Sequence, residues 1–252
     1  MKKMDFKEIL GISLDIGEEL LRCGAEISRV EDTITIICKS YGVKKIDVFV
    51  MNTVIIATII SDEKKSFTET RRVLHHKMNL RNLENLNSLS RKICKDNISR
   101  KKVKNEIKKC IKDDNPLFYL GGIITAFSFT LFFNGNLKDA IFSSIIAIIL
   151  CLIDKATNKM NVNNLIYSFF CSFVIGSAAI ILTKIIPTCH FDKIVIGDIM
   201  ILIPGLSMFI SVNDVFKGDT MSGIGRFTEG LFLTLCIAAG IGLSLFVLGG
   251  LL

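Results

Sequence analysis

The solvent for which this chain is written changes near Pro116. Before that residue charged side chains are never far apart. After it comes Leu117–Phe133, seventeen residues without a charge, and the chain stays mostly apolar to Leu252. Residues 1–116 carry 24 Lys/Arg and 17 Asp/Glu, whereas residues 117–252 carry seven of each. The first block suits water and the second suits lipid. A soluble block followed by several short-looped spans is more often the plan of a transporter or channel than of a membrane-anchored enzyme. Function is therefore sought inside the bilayer.

The net charge of +7 lies wholly in the first block. A basic block of this kind could meet nucleic acid. Beside a membrane block it reads instead as an orientation signal, because cytoplasmic segments are enriched in Lys/Arg, and nucleic acid is not expected as a partner. Arg100, Lys101, Lys102, Lys104, Lys108, Lys109 and Lys112 stand just ahead of the first apolar segment, where they would hold the block in the cytoplasm against anionic headgroups. The opening MKKMDFKEIL has no long apolar core before Asp15, so no signal peptide is expected. None of the eight cysteines forms a C-x-x-C pair, and they read as small buried hydrophobes. The neighbours His75-His76 and Cys189-His190 lack further ligands nearby, so neither a metal nor a cofactor is expected.

Two amphipathic helices open the chain. The first, over Phe6–Cys23, spaces Ile9, Leu10, Leu14, Ile16, Leu20 and Leu21 between charges, and Gly24 interrupts it. The second carries Ile27, Val30, Ile34 and Ile37 at intervals of three and four, with Gly42 as its C-cap. The period then becomes two: Ile46, Val48 and Val50 alternate, Thr53–Ser61 is rich in β-branched residues, and Phe67, Glu69 and Arg71 continue the pattern. Two or three antiparallel strands follow from this, with turns at Asn52 and Ser61–Lys65. From Val73 to Lys112 the pattern is helical and basic, with Leu80, Leu83, Leu86, Leu89 and Ile93 spaced mostly by three. The expectation is an α+β domain over residues 1–115 and a bundle of about five transmembrane helices over 116–252.

The five segments fall near Leu117–Phe133, Ala140–Ile153, Leu165–Ile186, Ile194–Val212 and Phe227–Leu252. The second is short against the roughly 20 residues of a full crossing, and reads either as a thin span or as a re-entrant segment. With the basic domain inside, the loops Asn134–Asp139 and Lys184–Lys193 lie outside, Asp154–Asn164 and Asn213–Arg226 inside, and the C-terminus outside.

A carboxylate in lipid costs about 2.5–3.5 kcal/mol on insertion scales, so it is a functional candidate by default. Asp198 is the best case, four residues into the fourth segment and six before Pro204-Gly205, a pair able to break that helix and free backbone groups for a substrate or ion. The competing reading puts Asp198 at headgroup level, facing water. A second cluster gathers Asn213, Asp214, Gly218, Asp219, Gly223, Gly225, Arg226 and Glu229. Arg226 and Glu229, three apart, can pair on one helical face, and the cluster reads equally as a site or as a turn with an ion pair. Gly240, Gly242, Gly249 and Gly250 suit close helix packing. Ser28, Ser172 and Ser207 lie outside any G-x-S-x-G, and no Walker sequence is present. Enzyme chemistry is not expected.

These residues carry a resemblance. Leu21-Arg-Cys-Gly-Ala-Glu-Ile-Ser-Arg-Val-Glu-Asp-Thr-Ile34 resembles the opening signature of the threonine/serine exporter family, with a small-residue turn at Gly24-Ala25-Glu26 and then Arg29-Val30-Glu31. Tyr41-Gly42 and the strand pair around Val48–Ile60 fit the same cytoplasmic domain. Pro204-Gly205, Asn213-Asp214 and Gly223–Arg226-x-x-Glu229-Gly230 look like its membrane half. The resemblance implies a secondary exporter of small amino acids such as threonine and serine in the inner membrane. Split relatives are linked instead to small dicarboxylates such as succinate. It also implies the larger component of a two-chain exporter, with a small membrane partner subunit or a homo-oligomer. On this reading Asp198, Pro204, Gly205, Asn213, Asp214, Arg226 and Glu229 line the substrate or ion pathway, and Gly24, Glu26, Arg29 and Glu31 form a gating motif. The alternatives are a membrane-anchored enzyme and a scaffold that binds a partner through its first domain.

Overall fold

The computed structural model describes residues 5–61, 65–74, 76–96, 98–111, 116–157 and 162–251. The first four residues, the turn expected across 62–64, His75, Lys112, the domain division expected at 115, part of the loop expected over 154–164, and Leu252 lie outside them. The described residues are mostly helical, with one three-stranded sheet. They gather into two compact units, Met1–Asp113 with Leu206–Phe227, and Asp114–Gly205 with Thr228–Leu252.

The first unit is built around two helices whose apolar spacing matches 3.6 residues per turn. Helix α1 (Phe6–Arg22) buries Ile9, Leu10, Leu14, Ile16, Leu20 and Leu21, and α2 (Ile27–Ser40) buries Ile27, Val30, Ile34 and Ile37. The chain reverses between them through Gly24, whose φ of +85° few side-chain-bearing residues adopt, and Ala25 N–H returns to Leu20 O at 3.0 Å. Strands β1 (Lys45–Met51), β2 (Val54–Ile60) and β3 (Ser66–Arg72) form an antiparallel meander in that order. The register sets Phe49 opposite Ile56 and Ala57 opposite Glu69. Val50, Ile55, Ala57 and Ile59 face the core, while Phe49 and Ile56 lie exposed on the other face.

The helical stretch expected from Val73 begins later. Helix α3 spans Leu80–Asp96 and α4 spans Arg100–Cys110. Before α3 the backbone bonds sideways, with Lys77 N–H to Arg22 O at 3.0 Å and Asn79 N–H to Cys23 O at 3.3 Å. Leu86, Leu89 and Ile93 are buried but Leu80 is exposed. A three-residue spacing falls short of a full turn and drifts around a helix, so the early leucines leave the inner face. Arg100 does not face lipid: it forks onto Asp15 at 3.1 and 3.2 Å and ties α4 to α1.

The segment expected as an inner loop over Asn213–Arg226 is largely helical. Helix α9 covers Gly205–Phe216 and α10 covers Thr220–Leu248, leaving three residues between them. Only Gly218 in that turn has a positive φ, +98°, and Asp219 N–H closes it onto Asp214 O at 3.0 Å. The other glycines stay helical. At Gly223 a Cβ would stand 2.6 Å from Ser211 O and 3.0 Å from Val215 N, so the hairpin closes on a bare backbone.

The second unit holds α5 (Pro116–Phe132), α6 (Leu137–Thr157), α7 (Asn164–Ile185), α8 (Phe191–Leu202), the rest of α10 and a short 3-10 turn, Gly249–Leu251. Its second helix is longer than the apolar run suggested, at 21 residues. Asn136 and Asp139 cap it reciprocally, Asn136 N–H to Asp139 Oδ2 at 2.9 Å and Asp139 N–H to Asn136 Oδ1 at 2.8 Å, which draws polar residues into the first turn. The chain breaks after α8 at Ile203-Pro204, as Pro204 lacks an N–H. Among the described residues three helices, α6, α7 and α10, are long and apolar enough to cross a membrane, or four if α8 and α9 make one broken span. The 17-residue α5 is a shorter apolar helix. Large apolar side chains point outward here, Phe246 being 87% exposed, while Ser143, Ser172, Ser244 and Asp198 are buried. That inversion suits lipid as the solvent.

Of the glycines expected at helix contacts, Gly240 is one. A Cβ there would collide with Ser172 Oγ and the Phe169 carbonyl, and would lie 3.0 Å from Phe173 N, on α7. Gly242, Gly249 and Gly250 face open space. Gly240→Ala is therefore expected to destabilise the protein in detergent by roughly 1–3 kcal/mol, the usual cost of overpacking. Gly242→Ala should leave the melting midpoint unchanged or raise it, since Ala favours a helix over Gly by about 0.5–1 kcal/mol. Thermal unfolding of the two variants side by side checks this.

Candidate functional site

In the first unit, residues far apart in sequence converge on the start of α2. Glu26 stands at the N-cap position but makes no capping bond with its side chain. Its place is taken from elsewhere in the chain: Asp214 Oδ1 accepts Ile27 N–H at 3.2 Å. A carboxylate at a helix N-terminus meets unsatisfied N–H groups and the positive end of the dipole. Asp214 has no exposed surface, and its Oδ2 stands 3.3 Å from Arg226 Nη1. The Arg226 side chain is only 10% exposed. Its Nη2 donates to Ala25 O and to Asn52 Oδ1, both at 3.3 Å. Asn52 in turn donates to Ser222 O at 2.6 Å, and Lys217 is ion-paired with Glu26.

Two side chains thus meet the Ala25-Glu26-Ile27 backbone, Asp214 from α9 and Arg226 from α10, with Asn52 of the β1–β2 turn behind Arg226 and Lys217, just after α9, on the Glu26 carboxylate. Arg226 therefore turns to Asp214, Asn52 and Ala25 rather than forming the pair expected with Glu229. Glu31, one turn further along α2, accepts Val50 N–H at 3.0 Å and ties α2 to β1. Burial pushes its carboxyl above the usual 4.5; the Val50 bond pulls it down, and Asp219 and Asp32 push it up again.

In the second unit Asp198 has no exposed surface and receives one side-chain bond, from Ser143 Oγ at 3.1 Å. Its Oδ2 has no hydrogen-bond partner among the described residues. The neighbouring Gly197 lets α8 approach hydroxyls closely: a Cβ there would strike Thr130 Oγ1 and lie 3.0 Å from Ala126 O and 3.1 Å from Ser143 Oγ. Asp139 is equally buried but fully served. It accepts from Asn136 N–H at 2.9 Å and His190 N–H at 2.9 Å, and its Oδ2 lies 3.0 Å from His190 Nδ1.

The family model for threonine/serine exporters (ThrE) matches residues 12–248. The chain belongs to the threonine/serine exporter family. No curated protein and no solved structure matches it. Membership makes it a membrane-embedded transporter family member, with a small molecule as cargo and lipid as its surroundings. All the residues of both constellations lie within the matched stretch.

The expected pathway residues divide between the two units. Asp214 and Arg226 meet at the α2 cradle, and Asn213 lies half-buried beside Asp214 on α9. Asp198 sits in the second unit, as does Glu229, which is exposed on α10. Pro204 and Gly205 form the helix break. Of the gating motif, Gly24 makes the turn, Glu26 pairs with Lys217, Glu31 holds β1, and Arg29 is exposed. Sequence reasoning missed Asn52, Lys217, Ser143, Asp139 and the His190 side chain as members of these clusters. Asn52 gave only a turn signal, and bonds across 170 residues leave no local pattern. Burial pushes the Cys38 thiol up to about 11, so it is protonated at neutral pH.

Because the Glu31 carboxyl is raised in the fold, the folded state holds its proton more tightly than the unfolded chain does. Its favourable contribution is present below about pH 4 and is lost as pH rises through the folded value. Glu31→Gln keeps an oxygen for Val50 N–H and removes the desolvated charge. The variant is expected to melt higher than the parent at pH 7, and the gap should close as pH falls toward 4. Melting curves across that range check the sign.

Proposed function

We propose that the chain is a secondary transporter that exports small amino acids such as threonine and serine, with Asp198 as the proton-carrying group. The observation that carries the reading is the environment of that carboxylate. It is fully buried on an apolar helix, has one donor, and lies six residues before the Pro204 break. A charge so placed takes up a proton or a cation, because leaving it bare in a low-dielectric site is costly. Broken helices supply unsatisfied N–H groups at the new N-terminus, and those after Gly205 suit a substrate carboxylate. Glu229 is the second candidate for the coupling proton or the substrate ammonium.

The Lys/Arg excess of the first unit supports a cytoplasmic placement in the inner membrane. There the Glu26, Arg29 and Glu31 edge gates the pathway or recruits a partner. The pathway is completed by five spans on this chain and by a small membrane partner subunit, the form to which split members of the family point.

Cells lacking the protein, loaded with labelled threonine, provide the test. Efflux is expected to return with this chain plus its small partner. Asp198→Asn, inserted at normal levels, should cut the rate on the order of tenfold or more, since a neutral amide does not take up and release a proton near neutral pH. Efflux of succinate but not threonine would move the substrate to small dicarboxylates, and full activity of Asp198→Asn would remove the proton role.

A further inference from the structure

Three helices of the second unit bring oxygen atoms to the surroundings of Asp198. Ser143 on α6 donates its hydroxyl proton to Asp198 Oδ1 at 3.1 Å. Thr130 on α5 donates its own to the Ala126 carbonyl, one turn back, at 2.8 Å. Both hydroxyl oxygens lie against the bare Cα of Gly197 on α8: a Cβ there would strike Thr130 Oγ1 and lie 3.1 Å from Ser143 Oγ. Thr130, Ser143 and Asp198 have no exposed surface.

A hydroxyl offers one proton and two lone pairs. Both protons are already used, so lone pairs remain on Thr130 Oγ1 and Ser143 Oγ. They remain also on Asp198 Oδ2, which has no hydrogen-bond partner among the described residues. Buried acceptors with no donor left among them call for a positive species, not an anion. The ionisable groups on the packed helices are engaged or placed elsewhere. Helix α5 carries no charge, and its Tyr119 donates to Asp154 on α6 at 3.4 Å. Asp139, one turn before Ser143, is served by Asn136 and His190. Asp192 and Lys193 at the start of α8 pair with each other at 3.1 Å, and Lys155 and Lys184 stand in the last turns of α6 and α7.

We propose that Asp198, Ser143 and Thr130 bind a sodium ion once the carboxyl has released its proton. The ion takes Asp198 Oδ2 and the free lone pairs of the two hydroxyls, so sodium and proton exclude one another. A monovalent ion balances the single negative charge of these three side chains, whereas a divalent one would leave a positive charge in apolar surroundings. Sodium is close in radius to calcium, whose contacts to oxygen are about 2.3–2.6 Å. The 3.1 Å between Ser143 Oγ and Asp198 Oδ1 lets one such ion reach both side chains. The inference rests on the reading of Asp198 as a group that gives up its proton, and adds that the same group answers to sodium.

The test is the thermal midpoint of the full-length protein in detergent, with sodium chloride replaced stepwise by choline chloride at constant chloride. At pH 8 sodium is expected to raise the midpoint in a saturable way, because a ligand of the folded state stabilises it. Asp198→Asn should erase the difference between the two salts. Thr130→Val and Ser143→Ala should each move half-saturation to higher sodium. Equal midpoints in the two salts at pH 8 would overturn the site, as would an undiminished sodium response in Asp198→Asn or unchanged half-saturation in both hydroxyl variants.

Should Asp198→Asn not fold, the parent gives an independent readout. Its half-saturating sodium concentration is expected to rise as pH falls from 8 to 6, by up to about tenfold per unit, the limit for one proton displacing one ion. A half-saturation that ignores pH would overturn the proposal. Efflux of labelled threonine is scored separately: sodium binding without efflux supports the site and counts against the exporter reading, and efflux without a sodium response does the reverse.

Discussion

A carboxylate removed from water has to be given donors, a cation or a proton, and among the described residues that constraint falls on three aspartates with no exposed surface: Asp139, Asp198 and Asp214. Asp139 receives two backbone N–H groups and lies against an imidazole, within a loop cluster that also joins Asn136 to Thr188. So complete a set fixes geometry and leaves nothing to exchange. Asp214 receives one N–H and a guanidinium, both drawn from parts of the chain nowhere near it in sequence. Asp198 receives one hydroxyl. The three form a gradient from a fully served carboxylate to one with a single hydroxyl donor.

The same gradient explains why the two units are built differently. In the first, apolar side chains at helical and strand periods collect inside, the arrangement that water favours. Ion pairs such as Arg100 with Asp15 lie at its edge. In the second, the apolar surface is outside and small hydroxyl residues are inside, so close backbone approach replaces hydrophobic burial as the organising force. Gly240 against α7, Gly176 against Ser244 and Gly197 against Thr130 are points of such close approach. The Gly197 contact brings α8 against Thr130 and Ser143, beside an apolar cluster that includes Ile146, Ile175, Ile194 and Val195.

Most of the fold was legible because it is local. The α1 and α2 stripes, the alternation from Ile46 to Val50, the Gly24 and Gly42 caps and the break at Pro204 are each written within a few residues. What was not legible depends on partners distant in sequence. The glycines after Asn213 look like a loop because three of them stand within eight residues, yet only Gly218 departs from helix, while Gly223 serves a neighbour's backbone. Arg226 has an acid three residues ahead, the stronger local signal. The structure sends it instead to Asp214 and to a turn formed 174 residues earlier.

The α2 cradle also draws in a segment that is remote from the rest of its unit in sequence. The segment 206–227 lies between two stretches of the second unit, yet it belongs to the first. Its polar residues, Asp214, Lys217, Ser222 and Arg226, face Ala25, Glu26, Ile27 and Asn52, while Phe209, Phe216 and Met221 remain exposed. Ion pairs and hydrogen bonds are directional, so they fix which residues of the hairpin meet the start of α2 and the β1–β2 turn, a specificity that apolar burial, which is non-directional, does not supply.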